Sequence, residues 1–315
     1  MQLVLDHISK SYGRNKALSE FSATLSPGIY ALLGPNGSGK STLMNIITDN
    51  LKADKGNILF SKTDAPPKPV KALGVSYREQ VGYMPQYPHL YPGFSVEQFM
   101  WYMATLKELG REYKGKERKH YVEKQIDRLL TEVELSHVKT SSVGSLSGGM
   151  KQRLALAQAV MGDPAILILD EPTNGMDVNG VIWLKQYLKN LKKTGKTILI
   201  CSHSLNIMEE LIDRYCIIID GKIVNDEAWN YKEVQNYCYS IELDEDKCSY
   251  NKAKQLLEEV GDIQKADDGR MNVTTKYKIL PFCEILMKEE IPALDVTVEK
   301  ESLEKIFIES VGING

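Results

Sequence analysis

The chain has 315 residues, 43% of them hydrophobic, which is enough to bury a large core and to form one large domain and a smaller one. Its 39 Lys and Arg residues nearly balance 42 Asp and Glu residues, and this balance excludes a general electrostatic attraction to nucleic acid, so no nucleic-acid partner is expected. Apolar runs such as 166–169 and 217–219 are too short to cross a bilayer. The five cysteines form no CxxC pair, which is typical of a reducing compartment.

Two kinds of β-sheet are predicted along the chain. Alternating segments at 3–5 and 57–60 indicate an antiparallel sheet. Runs rich in Ile, Leu and Val are each followed by a glycine turn or a helical pattern, and they lie at 29–33, 165–169, 197–201 and 215–219. This alternation favours a mainly parallel sheet buried between helices.

Helical patterning separates these sheet segments from 96 to 159, where 98–109 and 121–133 carry apolar residues three and four positions apart. This stretch predicts a helical insert. After Gly221 the composition shifts, and a small separate α+β domain is predicted there. It contains a strand-like segment at 237–243 and a helix-like segment at 252–260, followed by apolar segments at 271–274, 280–290 and 294–298 and a last helix near 302–310.

A phosphate-binding loop is predicted after the apolar run 29–33. The sequence there is Gly34-Pro35-Asn36-Gly37-Ser38-Gly39-Lys40-Ser41-Thr42, which satisfies the strand, GxxxxGK[ST], helix arrangement. The glycines let successive N–H groups point at a triphosphate, and the helix adds its positive end. We expect Lys40 to reach the outer phosphates and the Ser41 hydroxyl to bind Mg²⁺.

Two adjacent carboxylates, Asp170 and Glu171, end the buried strand at 166–170. Ligands bind at the carboxyl edge of such a sheet, so this position suits phosphate chemistry. We expect Asp170 to hold magnesium and Glu171 to orient and polarise the attacking water. Alone, the pair also fits an acidic helix start.

A second anion-binding helix start is predicted at Ser147, Gly148 and Gly149, directly before a strong helical pattern. One domain has no use for two such sites unless the second serves a nucleotide held by another subunit. The motif therefore predicts a head-to-tail dimer with ATP between the copies. In isolation it also fits a flexible N-cap.

The phosphate loop, the Leu-Ser-Gly-Gly sequence at 146–149 and the Asp170-Glu171 pair resemble, in this order, the ATPases of the ABC transporter family over about 1–222. The resemblance implies an α/β fold of the P-loop NTPase type, with an ABC ATPase domain at 1–222, a helical insert at about 88–160 and an accessory α+β domain at 231–315. It also implies ATP and Mg²⁺ as cofactors and ATP hydrolysis coupled to transport.

The family pattern also assigns roles to weaker signals. Tyr12 resembles the aromatic residue that stacks on adenine, Gln86 the glutamine that contacts magnesium, and His203 the histidine on the γ-phosphate. The segment 174–177 resembles the loop that communicates across the dimer. Met150 stands where the family most often has glutamine, but serine and glycine N–H groups make the phosphate contact, so hydrolysis is still expected.

Two partners are implied by the resemblance: a second cassette, identical or related, and a separate transmembrane permease that holds this cytoplasmic chain at the inner face of the cell membrane. An aromatic group near Gln86 suits a groove for a permease helix or, alternatively, forms the core of the insert. Its members are Tyr87, Tyr91, Phe94, Phe99 and Trp101. The tail sequence at 301–307 resembles exporter-type cassettes of the drug and lantibiotic kind.

Two other functional classes use the same nucleotide chemistry. The first is a soluble ABC ATPase acting on ribosomes or DNA. Ribosome-type members usually carry two cassettes in one chain, and chromosome-type members place a long coiled coil where this chain has the helical insert. The second is a nucleotide sensor without turnover, which the presence of both Glu171 and His203 disfavours.

Overall fold

The computed structural model describes residues 1–62, 65–205, 209–229, 237–244, 246–266, 269–300 and 302–312. The main body of one compact unit lies within 1–229, and a second unit lies within 230–309. Among the described residues, none of the helices combines the length and the hydropathy that a membrane span requires.

The strands are numbered in chain order. They are β1 (Gln2–Tyr12), β2 (Asn15–Leu25), β3 (Gly28–Leu33), β4 (Lys55–Ser61), β5 (Lys68–Pro69), β6 (Val81–Met84), β7 (Ile166–Asp170), β8 (Thr197–Cys201), β9 (Arg214–Ile219), β10 (Lys222–Ala228), β11 (Tyr237–Leu243), β12 (Asp262–Lys265), β13 (Met271–Thr275) and β14 (Ala293–Lys300).

The α-helices are α1 (Lys40–Ile47), α2 (Val70–Leu73), α3 (Val75–Arg78), α4 (Val96–Leu106), α5 (Gly115–Glu132), α6 (Gly148–Val160), α7 (Val178–Lys193), α8 (Tyr250–Leu257), α9 (Ile279–Lys288) and α10 (Leu303–Val311). Short 3₁₀ turns at Ser136–Val138 and Val143–Ser145 connect α5 to α6.

The predicted mainly parallel sheet is confirmed. Its order is β10-β9-β3-β8-β7-β6, and all neighbouring pairs are parallel except β10 with β9. β8 is buried along its whole length, as expected of a strand covered on both faces. The carboxyl ends of β3, β7 and β8 meet at one edge, where ligands bind in such sheets.

This sheet continues past residue 222, where the sequence predicted the end of the ATPase domain. Asp220 and Gly221 both have positive φ, 48° and 74°, and form the tight turn of a hairpin between β9 and β10. Residue 231, the predicted start of the accessory domain, lies outside the described residues.

The predicted antiparallel sheet is also confirmed, with the order β2-β1-β4-β5. It buries Leu3, Leu5 and Phe60 in the core. β2 had no clear alternating pattern, and the β1–β2 pairing contains register shifts, with positive φ at His7 and Glu20. Such irregularities break the two-residue period that predicts a strand.

The helical insert consists of α4, α5 and α6. A capping box starts α4: Ser95 Oγ accepts from the Gln98 N–H at 3.1 Å, and Gln98 Oε1 accepts from the Ser95 N–H at 2.8 Å. Phe99 is fully buried, so it belongs to the core of the insert, whereas Tyr87 is 76% exposed. The core alternative therefore holds for Phe99 and not for Tyr87.

The second unit is an antiparallel sheet of order β12-β13-β11-β14 with α8 and α9, which confirms the predicted α+β character. Its core includes Tyr239 and Phe282, whose rings stack with centroids 4.1 Å apart. β12 was not predicted, because its four residues contain one apolar side chain.

Candidate nucleotide-binding site

The loop between β3 and α1 follows a path that requires glycine. Gly39 has φ 109°, and a Cβ there would overlap the carbonyl oxygen of Ala17. Gly34 has φ 156°, and a Cβ there would overlap the carbonyl oxygen of Ile218. No described side chain caps α1, so its first N–H groups and the positive end of its dipole are available to an anion.

Lys40 lies over this loop. Its Nζ donates to the carbonyl oxygens of Gly34 at 2.7 Å and Pro35 at 2.9 Å, and the residue is 9% exposed. An ammonium has three donors, so one remains for a ligand. Ser38 Oγ is buried and finds no hydrogen-bond partner among the described residues. Buried polar groups are normally paired, so this hydroxyl fits a polar ligand in the loop.

Asp170 ends β7 directly opposite Cys201 of β8. Burial raises the pKa of the Asp170 carboxyl, while the Cys201 thiol, Lys40, His203 and the backbone N–H of Gln86 act in the opposite direction. Burial also raises the pKa of the Cys201 thiol to about 12. The thiol therefore stays protonated and donates its hydrogen to Asp170.

Glu171 is held in a strained and buried position. Its φ of 50° lies in the left-handed region, and the residue is 4% exposed. Oε1 accepts from the His203 backbone N–H at 3.0 Å, and Oε2 accepts from the Ser202 hydroxyl at 3.3 Å. Burial raises the pKa of Glu171, whereas His203, Ser202 and the His203 N–H lower it. The carboxylate is therefore fixed by the two residues that follow β8, Ser202 and His203.

A cavity of about 440 Å³ brings most of the predicted site residues together. The predicted residues that line it are Tyr12, Asn36, Gly37, Gly39, Lys40, Ser41, Thr42, Gln86, Asp170, Glu171 and His203. The His203 ring is largely exposed and lies 3.5 Å from Glu171, measured from Nε2 to Oε1. Gly34, Pro35 and Ser38 belong to the same loop but do not line the cavity.

The predicted residues Ser147, Gly148 and Gly149 line a different cavity of about 540 Å³, called the signature cavity below. Ser147 is the N-cap of α6, and its Oγ accepts from the Met150 N–H at 3.2 Å. Gly175, with φ 71°, packs against Gly148. No described lining residue is common to the two cavities, so Lys40 and Ser147 do not face the same space within one chain.

Sequence reasoning missed several residues at these sites. Asn15, Ala17 and Cys201 also line the nucleotide cavity, and Ser202 contacts Glu171. The only available signal was that Cys201 and Ser202 precede His203 at the end of a buried strand. Their contacts with Asp170 and Glu171 depend on which strands are neighbours, and this is not visible in a local pattern.

A glycine-rich loop before a helix, a lysine on that loop and two carboxylates on the neighbouring strand define a P-loop nucleotide-binding ATPase. The family model of the ABC transporter matches residues 18–174. The chain is 34% identical, over 72% of its length and 89% of the relative, to the SkfA peptide export ATP-binding protein SkfE of Bacillus subtilis (strain 168). It therefore belongs to the ABC transporter family, as an ATP-binding subunit and ATPase.

Two further comparisons extend this result. The uncharacterized ABC transporter ATP-binding protein YhcH of Bacillus subtilis (strain 168) is 28% identical over 98% of this chain and 96% of its own length, so that similarity includes the second unit. The dimeric structure of a post-hydrolysis state of the ATP-binding cassette MJ0796, bound to ADP and Pi, aligns with a TM-score of 0.62 at 26% identity. That alignment covers 72% of this chain and 99% of the other.

Proposed function

We propose that this cassette closes head to tail with a second cassette, identical or related, on two ATP molecules and reopens after hydrolysis. The separation of the two cavities supports this arrangement. An ATP held by Lys40 lies in a different space from Ser147 of the same chain, so the signature cavity is left for a nucleotide bound by the partner. Closure over the nucleotides is the movement that drives transport.

In this proposal the site residues bind two nucleotides, one in each cavity. Tyr12 stacks on adenine; the backbone from Gly34 to Gly39 surrounds the phosphates; and Lys40 and Thr42 bind them at the start of α1. The partner's nucleotide is bound by the Ser147 hydroxyl and the N–H groups of Gly148 and Gly149. The Ser147 side chain caps the Met150 N–H at the start of α6, and the N–H groups of Gly148 and Gly149 receive no side-chain cap from the described residues, which supports this role.

Magnesium fits the donor atoms of the nucleotide cavity. The Ser41 hydroxyl, the Gln86 amide oxygen and the Asp170 carboxylate line the same space, and Mg²⁺ prefers such oxygen ligands together with phosphate oxygens and water. The described residues contain no cluster of three His, Cys, Asp or Glu side chains that would hold a metal alone, in keeping with a site completed by the nucleotide. When bound, the ion neutralises charge on the phosphates.

Hydrolysis then depends mainly on positioning. Glu171 orients the attacking water and accepts its proton, while His203 contacts the γ-phosphate. Two observations support these roles: the His203 ring and the Glu171 carboxylate lie 3.5 Å apart, and both face the nucleotide cavity. Lys40 neutralises developing charge on the outer phosphates.

A permease docks on the insert in this proposal. A cavity of about 610 Å³, the insert groove, lies between the segments 75–80 and 106–112. Val75 and Leu106 expose 57% and 60% of their surface there, and the groove also contains ion-pairing groups such as Arg111 with Glu79. Exposed apolar side chains beside charged ones suit a short amphipathic helix of a partner. Tyr87 and Tyr91 provide further exposed aromatic surface.

The transport direction we propose is export, with the cassette on the cytoplasmic face of the membrane and the permease as its attachment. Support comes from the relative SkfE, which is a peptide export ATP-binding protein. Transport is also the function in the family description, which favours a transporter over an ATPase of ribosomes or DNA.

The test is co-purification from gently solubilised native membranes, using a tagged Glu171→Gln variant with ATP to hold the closed state. We expect one multi-helix membrane protein in near-equal amount, identified by mass spectrometry, and a second cassette. Recovery of ribosomal proteins or DNA-bound factors without a membrane protein would overturn the proposal.

A matched pair of variants locates the docking surface. Leu106→Asp places a charge in the insert groove and should reduce recovery of the membrane protein about tenfold, as for loss of an interface anchor. Val224→Asp changes a similarly exposed apolar residue, 50% exposed on β10, and should leave recovery unchanged. Equal recovery with both variants would place the permease elsewhere.

A further inference from the structure

The residues that follow β8 hold both oxygens of the Glu171 carboxylate. The His203 backbone N–H donates to Oε1 at 3.0 Å, and the Ser202 hydroxyl donates to Oε2 at 3.3 Å. Ser202 is 6% exposed and Glu171 is 4% exposed, so the contact between these two side chains is buried. Without such contacts, the carboxylate group of a glutamate rotates over a broad range about the last side-chain bond, χ3.

The direction of the Ser202 hydroxyl follows from its second contact. The Ser204 N–H donates to Ser202 Oγ at 3.1 Å, which uses one of the acceptor positions on that oxygen. A hydroxyl has a single proton, and a carboxylate only accepts when ionised, so that proton is donated to Glu171. The two hydrogen bonds therefore run in one direction: the Ser204 N–H donates to Ser202 Oγ, and the Ser202 O–H donates to Glu171 Oε2.

We propose that Ser202 is a positioning residue for ATP hydrolysis, because its hydroxyl fixes the rotation of the Glu171 carboxylate toward the nucleotide cavity. The inference rests on the proposed role of Glu171 in orienting water. His203 contributes a backbone N–H that most substitutions preserve, whereas the Ser202 contribution comes from a side chain. A substitution at Ser202 therefore removes one of the two hydrogen bonds to the Glu171 carboxylate and leaves the His203 N–H bond in place.

A purely structural role gives a different expectation. The Ser204 N–H to Ser202 Oγ contact is a local turn between residues two apart, of the kind that serine forms at strand ends. If that turn were the whole role of Ser202, its loss would alter stability or nucleotide binding, and the effect would not depend on Glu171.

The experiment compares Ser202→Ala with Ser202→Thr in the full chain. We expect Ser202→Ala to lower kcat about tenfold, at the low end of what a hydrogen bond to a charged group contributes, with KM for ATP within about twofold. Ser202→Thr keeps the hydroxyl and should restore most of kcat. ATP-induced dimerisation, measured alongside, should stay near that of the unmodified chain.

A double-mutant cycle separates positioning from a structural effect. In single-turnover assays with labelled ATP, adding Ser202→Ala to Glu171→Gln should leave the residual rate unchanged, because Ser202 acts through the carboxylate. An unchanged kcat in Ser202→Ala, no rescue by threonine, or an equal loss in both backgrounds overturns the inference. Normal turnover by Glu171→Gln alone overturns the proposed role of Glu171, and this inference with it.

Discussion

The two glycine-rich helix starts of this cassette differ in how closely their own chain surrounds them. In the phosphate loop, a Cβ at Gly34 or Gly39 would overlap a carbonyl oxygen of a neighbouring strand. At the start of α6, a Cβ at Gly149 would lie 3.6 Å from the carbonyl oxygen of Gly175, which is ordinary contact, and a Cβ at Gly148 would lie 3.2 Å from it, which is tight but is not an overlap. The first set of glycines is therefore required by the fold, whereas a side-chain carbon is sterically tolerated at Gly149.

The charged side chains at the two sites also differ in how far their own chain buries them. Lys40 and Glu171 are 9% and 4% exposed, and the lysine is held by carbonyl oxygens of its own loop. At the signature cavity the Glu134 side chain is 59% exposed, and it pairs with Arg153, which also lies over the Trp183 ring at 4.4 Å. The nucleotide cavity is thus organised by its own chain, whereas the signature cavity is an open surface, which the proposed dimer would complete with a partner's nucleotide.

The largest expected effect is that of Glu171→Gln, which should slow ATP hydrolysis by about a hundredfold or more while ATP binding remains, because loss of a general base removes the proton acceptor but no phosphate contact. Phosphate release and nucleotide binding are measured separately. Glu134→Gln is the stability control at the signature cavity. It removes an exposed ion pair with Arg153, which contributes at most about 1 kcal/mol, so the unfolding free energy of this variant should be close to that of the unmodified chain. Rapid turnover by Glu171→Gln would contradict the role.

Gly39→Ala comes next, with an expected loss of about 3 kcal/mol in the free energy of unfolding, because the left-handed φ and the overlap with Ala17 both oppose a side chain. ATP binding should be lost. Gly37→Ala is the matched control, since Gly37 also has a positive φ, 81°, but no heavy atom lies within 4 Å of its Cβ position. It should lose about 1 kcal/mol. Equal losses in urea denaturation would refute the crowding argument.

Gly149→Ala tests the open site directly. A methyl group there meets only ordinary contacts, and the φ of Gly149 is not in the left-handed region, so the unfolding free energy should change by less than about 1 kcal/mol. Hydrolysis should fall about tenfold, since in the proposed dimer the methyl group would lie beside the N–H donors that bind the partner's phosphate. A stable variant with full activity would show that nothing binds at this surface during turnover.

The comparison also explains what the sequence predicted well. The phosphate loop and the strand before Asp170 are local patterns: glycine spacing, a lysine and a buried run specify them without knowledge of the fold. The antiparallel and parallel sheets were predicted for the same reason. β2 and β12 were missed because one is irregular and the other is short and mostly polar.

Contacts between distant segments escaped prediction. Ser202 meets Glu171 only because β7 and β8 are neighbours in the parallel sheet, and that pairing joins residues more than a helix apart in the chain. The separation of Lys40 from Ser147 into two cavities likewise follows from the folded path of the insert. The head-to-tail dimer was predicted from chemistry, as a use for the second anion site, and not from spacing.

The smallest expected effect concerns Lys107, which ties α4 to the carboxyl end of α6, the helix that begins at the signature cavity. Its Nζ donates to the carbonyl oxygens of Gln158 at 3.1 Å and Met161 at 2.8 Å, and burial lowers its pKa to about 8. Between pH 8 and its ordinary pKa of 10.5, the unfolded chain binds more protons than the folded one, so folding stability from this residue rises with pH.

Lys107→Met removes this pH dependence. From pH 7 to pH 9, the unmodified chain should therefore gain stability relative to the variant, by at most about 1.4 kcal/mol per pH unit, as measured by urea denaturation. Lys139→Met is the control, because ion pairs with Asp127 and Glu97 raise the Lys139 pKa in the folded chain, and its ordinary pKa of 10.5 keeps it protonated in the unfolded chain across this range. A parallel pH response in both variants would contradict the lowered pKa of a buried Lys107 at the end of α6.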